Sequence, residues 1–247
     1  MTAPETAPAT PTPTPSETPV VSDALRLVRV LFSPGTVFAE LEQRPSFWMP
    51  WLLVSIVTAV ITFLQRPFQA RLRELMMERA GRPVTPPSTV GTIISVAATP
   101  IGVLVLCAVI GGILYLIVSS LGGETTFRRL LTVVIHAWPL TLVQQALTFI
   151  VLSMRGVSSI NGPSDMFVSL GADLLLPQDA QVGYFVRFLL AGIGPLQIWQ
   201  LVITAVGVMA LAKLGKGQAW TAAVINFVIM LVLFAGLGAL GMRFMGG

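Results

Sequence analysis

Apolar residues along this chain gather in long uncharged blocks separated by short polar or basic connections. A helix needs about 20 apolar residues to cross a hydrocarbon core of about 30 Å, and the blocks lie near or above that length. The pattern predicts five spans, over about residues 47–64, 90–121, 130–152, 188–212 and 219–242, in a membrane domain covering 47–247. Pro100 lies near the start of the second block, Pro139 inside the third and Gly194-Pro195 early in the fourth, so bends are expected there. The six residues from Lys213 to Gln218 are too few to separate the last two spans, which must be antiparallel neighbours.

Outside the blocks the pattern changes. Residues 1–21 are rich in Pro, Thr and Ala, with Pro11, Pro13 and Pro15 alternating, and read as a solvated, extended, disordered tail. Residues 22–46 read as two short amphipathic helices. Leu25, Val28 and Phe32 share one side of the first, flanked by Arg26 and Arg29; Ser33-Pro34 opens the second, which carries Phe38 and Leu41 and stops at Arg44-Pro45. Both are too short and charged to span. Their apolar stripes are expected in the bilayer interface, near the aromatic level set by Phe47, Trp48 and Trp51. From Gln65 to Ser88, five arginines face Glu74 and Glu78, with Leu72, Leu75 and Met76 at helical spacing. This predicts a helix on the headgroups, with Arg71, Arg73, Arg79 and Arg82 as candidate ligands for anionic lipid. The loop from Ser153 to Gly183 holds Asp165, Asp173, Asp179 and the short apolar run Leu174-Leu175-Leu176.

Composition sharpens the class. Hydrophobic residues make up 54% of the chain and charged ones 11%, with a mean hydropathy of +0.83. A soluble domain carries about 25% charged residues to solvate its surface, so most of this surface does not face water. The expected fold is all-α: a polytopic membrane protein with short interfacial helices. A net charge of +4 then points to lipid headgroups rather than nucleic acid. No basic opening followed by an apolar run stands near Met1, so no secretory signal peptide is expected. Charge leaves orientation tied, with 7 basic residues on the amino-terminal side of the five spans and 8 on the other.

Chemistry is sparse. The predicted spans contain no Asp, Glu, Lys or Arg, which argues against a pump or ion-coupled transporter. His136 and Cys107 are each the only residue of their type, so neither a metal cluster nor an intramolecular disulfide can form. No P-loop, dinucleotide fingerprint or zinc-protease helix is present. No catalytic residue, metal site or cofactor is expected. The polar residues within spans do follow helical spacing: Thr141, Gln144 and Thr148 in the third, Gln197, Gln200 and Thr204 in the fourth, and Asn226 in the fifth. They read either as the lining of a solute path or as interhelical hydrogen bonding, and His136 as an interhelical hydrogen-bonder. Gly122-Gly123 ahead of Phe127, and Gly215-Lys216-Gly217 ahead of Trp220, are similar glycine turns and suggest duplicated helix hairpins.

Several of these segments together resemble the Yip family, the Ypt/Rab-interacting-protein membrane domain, in its bacterial form. They are Leu31-Phe32-Ser33-Pro34, the aromatic-rich approach ending in Arg44-Pro45, and Gly122-Gly123 before Phe127-Arg128-Arg129 with an apolar run to Pro139. Ile198-Trp199-Gln200-Leu201-Val202 followed by Gly207, and the Gly-Lys-Gly turn after it, complete the set. The resemblance implies a five-helix domain with a cytoplasmic amino terminus in the bacterial cytoplasmic membrane. It also implies a non-enzymatic adaptor that binds other membrane proteins, itself or anionic lipid. Phe127, Arg128, Arg129, Pro139, Trp199 and Gly207 become candidate interaction or structural residues. The family's Gly-Tyr pair ahead of the third-span proline is replaced here by Val134 and Ile135, and its acidic Asp-Leu motif has no counterpart, so a small-GTPase partner does not carry over. The competing readings are a small-solute or ion permeation protein and a protein that organises lipid or curvature.

Overall fold

Proline decides where most of the helices begin. The computed structural model describes residues 19–84, 88–177 and 182–244, in which eleven α-helices and no strand are found. Their order is α1 (Pro19–Arg29), α2 (Pro34–Gln43), α3 (Trp48–Leu64), α4 (Arg66–Arg79), α5 (Thr89–Ala97), α6 (Thr99–Ser120), α7 (Phe127–Ala137), α8 (Pro139–Arg155), α9 (Tyr184–Ala191), α10 (Pro195–Leu211) and α11 (Lys216–Phe244). A proline occupies the first turn of α2, α4, α6, α8 and α10. Its fixed φ suits that turn, and its missing N–H cannot continue a preceding helix. Apolar blocks that contain a proline are therefore split.

Three continuous or gently bent segments are long and apolar enough to cross a bilayer: Thr89–Ser120, Phe127–Arg155 and Lys216–Arg243. Two pairs bend sharply, α3 with α4 by 53° and α9 with α10 by 60°, and counting each pair as one span gives five. This is an all-α polytopic membrane protein. Where a single fourth span with an early bend is expected, the helix stops after Ala191 and restarts at Pro195. Gly192, Ile193 and Gly194 form the break, and Ala172 N–H donates to the Ile193 carbonyl across it (3.0 Å). Irregular backbone at membrane depth survives only where protein or a cavity satisfies it.

The two amino-terminal helices turn their apolar stripes in opposite directions. The stripe Leu25, Val28 and Phe32 stays outward, at 48%, 58% and 80% exposure, while Leu27 and Val30 turn inward. In α2, Val37, Phe38 and Leu41 are fully buried. α2 packs along α10, with Phe38 beside His136 of α7, so the expected Phe38 and Leu41 stripe faces the bundle. Phe38 fits where Gly207 leaves room, because a Cβ at 207 would stand 2.8 Å from Phe38 Cζ and 2.7 Å from Val133 Cγ1. Trp199 Nε1 donates to the Leu31 carbonyl (2.9 Å), pinning the α1–α2 corner. Arg26 bridges Asp23 and Glu40, both at 3.2 Å, and Arg29 reaches Glu40 at 3.1 Å. These interactions hold the pair together over the bundle.

α4 docks one face on the bundle. Its Phe68 is buried in a satellite core with Leu152 and Ile160, against which Leu72 and Leu75 pack. The two glycine turns meet on the other side of the bundle. Thr125 Oγ1 donates to the Leu211 carbonyl (3.0 Å), and Gln218 Nε2 to the Leu121 carbonyl (3.2 Å).

Candidate functional site

The polar stripes of three helices converge. Thr141 and Gln144 of α8, Gln197, Gln200 and Thr204 of α10, and Asn226 of α11 line one cavity of about 380 Å³. It lies in the half of the bundle away from the glycine turns, beside the α7–α8 and α9–α10 breaks. Trp138, which separates α7 from α8, and Gly192 both line it. The rest of the wall is apolar, with Leu106, Ile110, Phe188, Phe227, Met230 and Phe234, and none of the lining residues is charged. Phe167 packs edge-on to Phe188 with ring centres 4.9 Å apart at the loop side.

The loop is fixed there by close backbone approach. A Cβ at Gly171 would stand 2.4 Å from the Ala191 carbonyl oxygen, so only glycine lets the loop meet α9. Ser169 Oγ hydrogen-bonds the Asp173 carboxylate. Asp165 Oδ2 accepts from the Asn161 and Gly162 amides (2.8 and 3.0 Å). Both described loop aspartates thus shape local turns, and Asp179 lies outside the described residues. Leu174 and Leu175 are exposed.

Hydrogen bonding inside the cavity is incomplete. Gln144 Nε2 donates to the Val168 carbonyl (3.2 Å), which leaves Oε1 turned away from it and without a partner. Gln197 Oε1 and Asn226 Oδ1 are also buried with no partner, as is Trp138 Nε1. Asn226 is only 7% exposed. The threonines bond within their own helices, Thr148 to the Gln144 carbonyl (2.9 Å) and Thr204 to the Gln200 carbonyl (2.8 Å). Interhelical bonding therefore accounts for little of the polar seam.

His136 is not in that cavity's wall. It is fully buried beside Phe38, with ring centres 6.3 Å apart. Its expected interhelical bond is replaced by one inside α7, Nδ1 to the Thr132 carbonyl at 2.8 Å. A carbonyl only accepts, so Nδ1 carries a proton, and Nε2 is buried without a partner.

The remaining sequence candidates scatter. Pro139 starts α8 and is buried. Phe127 lies edge-on to Tyr115 at 6.4 Å. Arg128 is exposed and the Arg129 amide donates to the Thr126 side chain (3.4 Å), capping α7. Of the four candidate headgroup arginines, Arg71 pairs with Glu74 (2.9 Å) and Arg79 donates to the Asn161 carbonyl (2.6 Å). Arg73 and Arg82 line an open groove on α4 with Met76 and Met77. Sequence reasoning missed Trp138 and Phe188 as cavity residues. Their only sequence signal is position, each lying next to a helix break.

Among the described residues, no group of three or more His, Cys, Asp or Glu side chains could hold a metal ion. Helix order and broken apolar spans together define a polytopic helical membrane protein. The Yip1 domain model matches residues 28–237, and the chain belongs to that family. It is similar to the membrane protein YknW of Bacillus subtilis (strain 168), 26% identical over 226 residues, covering 85% of this chain and 90% of that relative. No solved structure matches.

Proposed function

We propose that this chain is a non-catalytic scaffold or adaptor of the bacterial cytoplasmic membrane, with a cytoplasmic amino terminus, that binds another membrane protein or a second copy of itself. The observation that carries this reading is the pinned α1–α2 pair. Phe38 seated at Gly207 and Trp199 bonded to Leu31 fix a short helix pair that still presents Leu25, Val28 and Phe32 outward. A pre-ordered surface avoids the entropy that a flexible segment loses on binding. The paired basic residues Arg128, Arg129, Lys213 and Lys216 in the short turns support a cytoplasmic assignment for that side. Arg73 and Arg82, beside Met76 and Met77, support contact with anionic lipid.

The test is photocrosslinking from position 32 in native membranes, read by mass spectrometry. A reproducible partner set that is lost in Leu25→Asp/Val28→Asp and weakened in Arg128→Ala/Arg129→Ala is expected. Capture of background alone from the unsubstituted surface overturns the adaptor reading.

A further inference from the structure

We infer that the cavity between α8, α10 and α11 binds an uncharged amphiphile whose head donates hydrogen bonds, an alcohol or polyol on an apolar tail. This goes beyond the adaptor reading and does not depend on it. Three features select that chemistry. The cavity's volume, about 380 Å³, falls in the range of small-molecule pockets, about 300–1,000 Å³. Gln144 Oε1, Gln197 Oε1 and Asn226 Oδ1 are carboxamide acceptors without partners, on three residues that line the same space. Each such atom is costly unless something donates to it. Trp138, whose indole N–H is also unpartnered, lines the space too, so a hydroxyl, both donor and acceptor, can satisfy either kind of group.

Charge decides against the other candidates. No acidic residue lines the cavity to balance a cation, and no basic residue to balance a carboxylate or phosphate. An anion would also face bare oxygen acceptors. Water could satisfy the carboxamides, but it would leave Leu106, Ile110, Phe227 and Phe234 solvated in the remaining space. An apolar tail covers those walls.

The broken helices lie beside such a site. Gly/Pro-interrupted spans place irregular backbone beside a cavity, as discontinuous membrane helices do at binding sites. Here the Trp138-Pro139 break and the Gly192–Gly194 break border the same space.

The full chain is reconstituted in phosphatidylcholine vesicles with a 1-monoacylglycerol carrying a diazirine in its acyl chain. Illumination and peptide mapping then locate the adducts. Two matched probes accompany it: the dimethyl ether of the same lipid, which cannot donate, and the free fatty acid, which is charged. Adducts concentrated on α8, α10 and α11 around Gln144, Gln197 and Asn226 are expected for the monoacylglycerol. Labelling should fall about tenfold or more with the ether and with the fatty acid, as sites built for a donor reject its analogue. Asn226→Leu and Gln197→Met, each keeping side-chain volume close, should each lower monoacylglycerol labelling several-fold, while thermal unfolding shows the bundle intact. Equal labelling by all three probes overturns the proposal. So do adducts spread over outward residues such as Ile93, Val105 and Leu116, or undiminished labelling of both folded variants, which would mean that the carboxamides do not select the ligand.

Discussion

The two halves of this bundle share α7 and α10, yet one is filled and the other hollow. On the side of the glycine turns, Phe38 from α2 occupies the space that Gly207 leaves open, against Val133 and His136. On the opposite side, the same helices end in proline breaks, and no side chain fills the space among Gln144, Gln197 and Asn226. The filled half has a segment from elsewhere in the chain as its plug. The hollow half has polar atoms in its wall with nothing bonded to them. Close packing is the usual condition of a protein interior, and the filled half meets it although His136 Nε2 is unpartnered there, whereas the hollow half gathers four unpartnered atoms, Gln144 Oε1, Gln197 Oε1, Asn226 Oδ1 and Trp138 Nε1, around one space.

That comparison can be broken by substitution. The largest effect is expected in the filled half: Phe38→Ala should destabilise the protein by about 3–5 kcal/mol, as truncation of a buried aromatic ring leaves a cavity. Thermal or denaturant unfolding in detergent would measure it, and a loss under about 1 kcal/mol would show that α2 is not part of the packed core. In the hollow half the sign should reverse. Asn226→Leu removes an unpartnered buried acceptor and should stabilise ligand-free protein by about 1–3 kcal/mol. Destabilisation instead would mean that the carboxamide already has a bonding partner. The smallest effect belongs to the pin: Trp199→Phe keeps an aromatic side chain but deletes the donor to the Leu31 carbonyl, costing about 1 kcal/mol. Hydrogen exchange in α1 should rise in that variant while α11 exchange stays unchanged.

In the amino-terminal pair the local pattern does not say which stripe meets the bundle. Two short helices with a proline start are legible from Ser33-Pro34 and Arg44-Pro45, and α2 begins at Pro34. Which face of each is buried is not legible. Leu25, Val28 and Phe32 make as good a stripe as Leu27 and Val30, and only packing against the bundle selects the second. His136 carries the same lesson. A lone histidine in an apolar block must find a bond, but the nearest acceptor is its own helix's Thr132 carbonyl rather than a neighbour's.

What the sequence determined by itself was the solvent, the helices and their breaks. The scarcity of charge, the length of the apolar blocks and the prolines within them act locally, through desolvation and through the missing N–H, whatever the rest of the chain does. The family resemblance was legible for the same reason, since it rests on short segments in a fixed order. The tertiary structure alone decided that glutamines and an asparagine on three separate helices line one cavity, and that α2 closes the other half. Helical period fixes which residues share a face, but not the rotation of that face about its axis or the partner it meets. Those follow from close approach at Gly207 and Gly171, where side-chain volume, not polarity, sets how the helices and loop can touch.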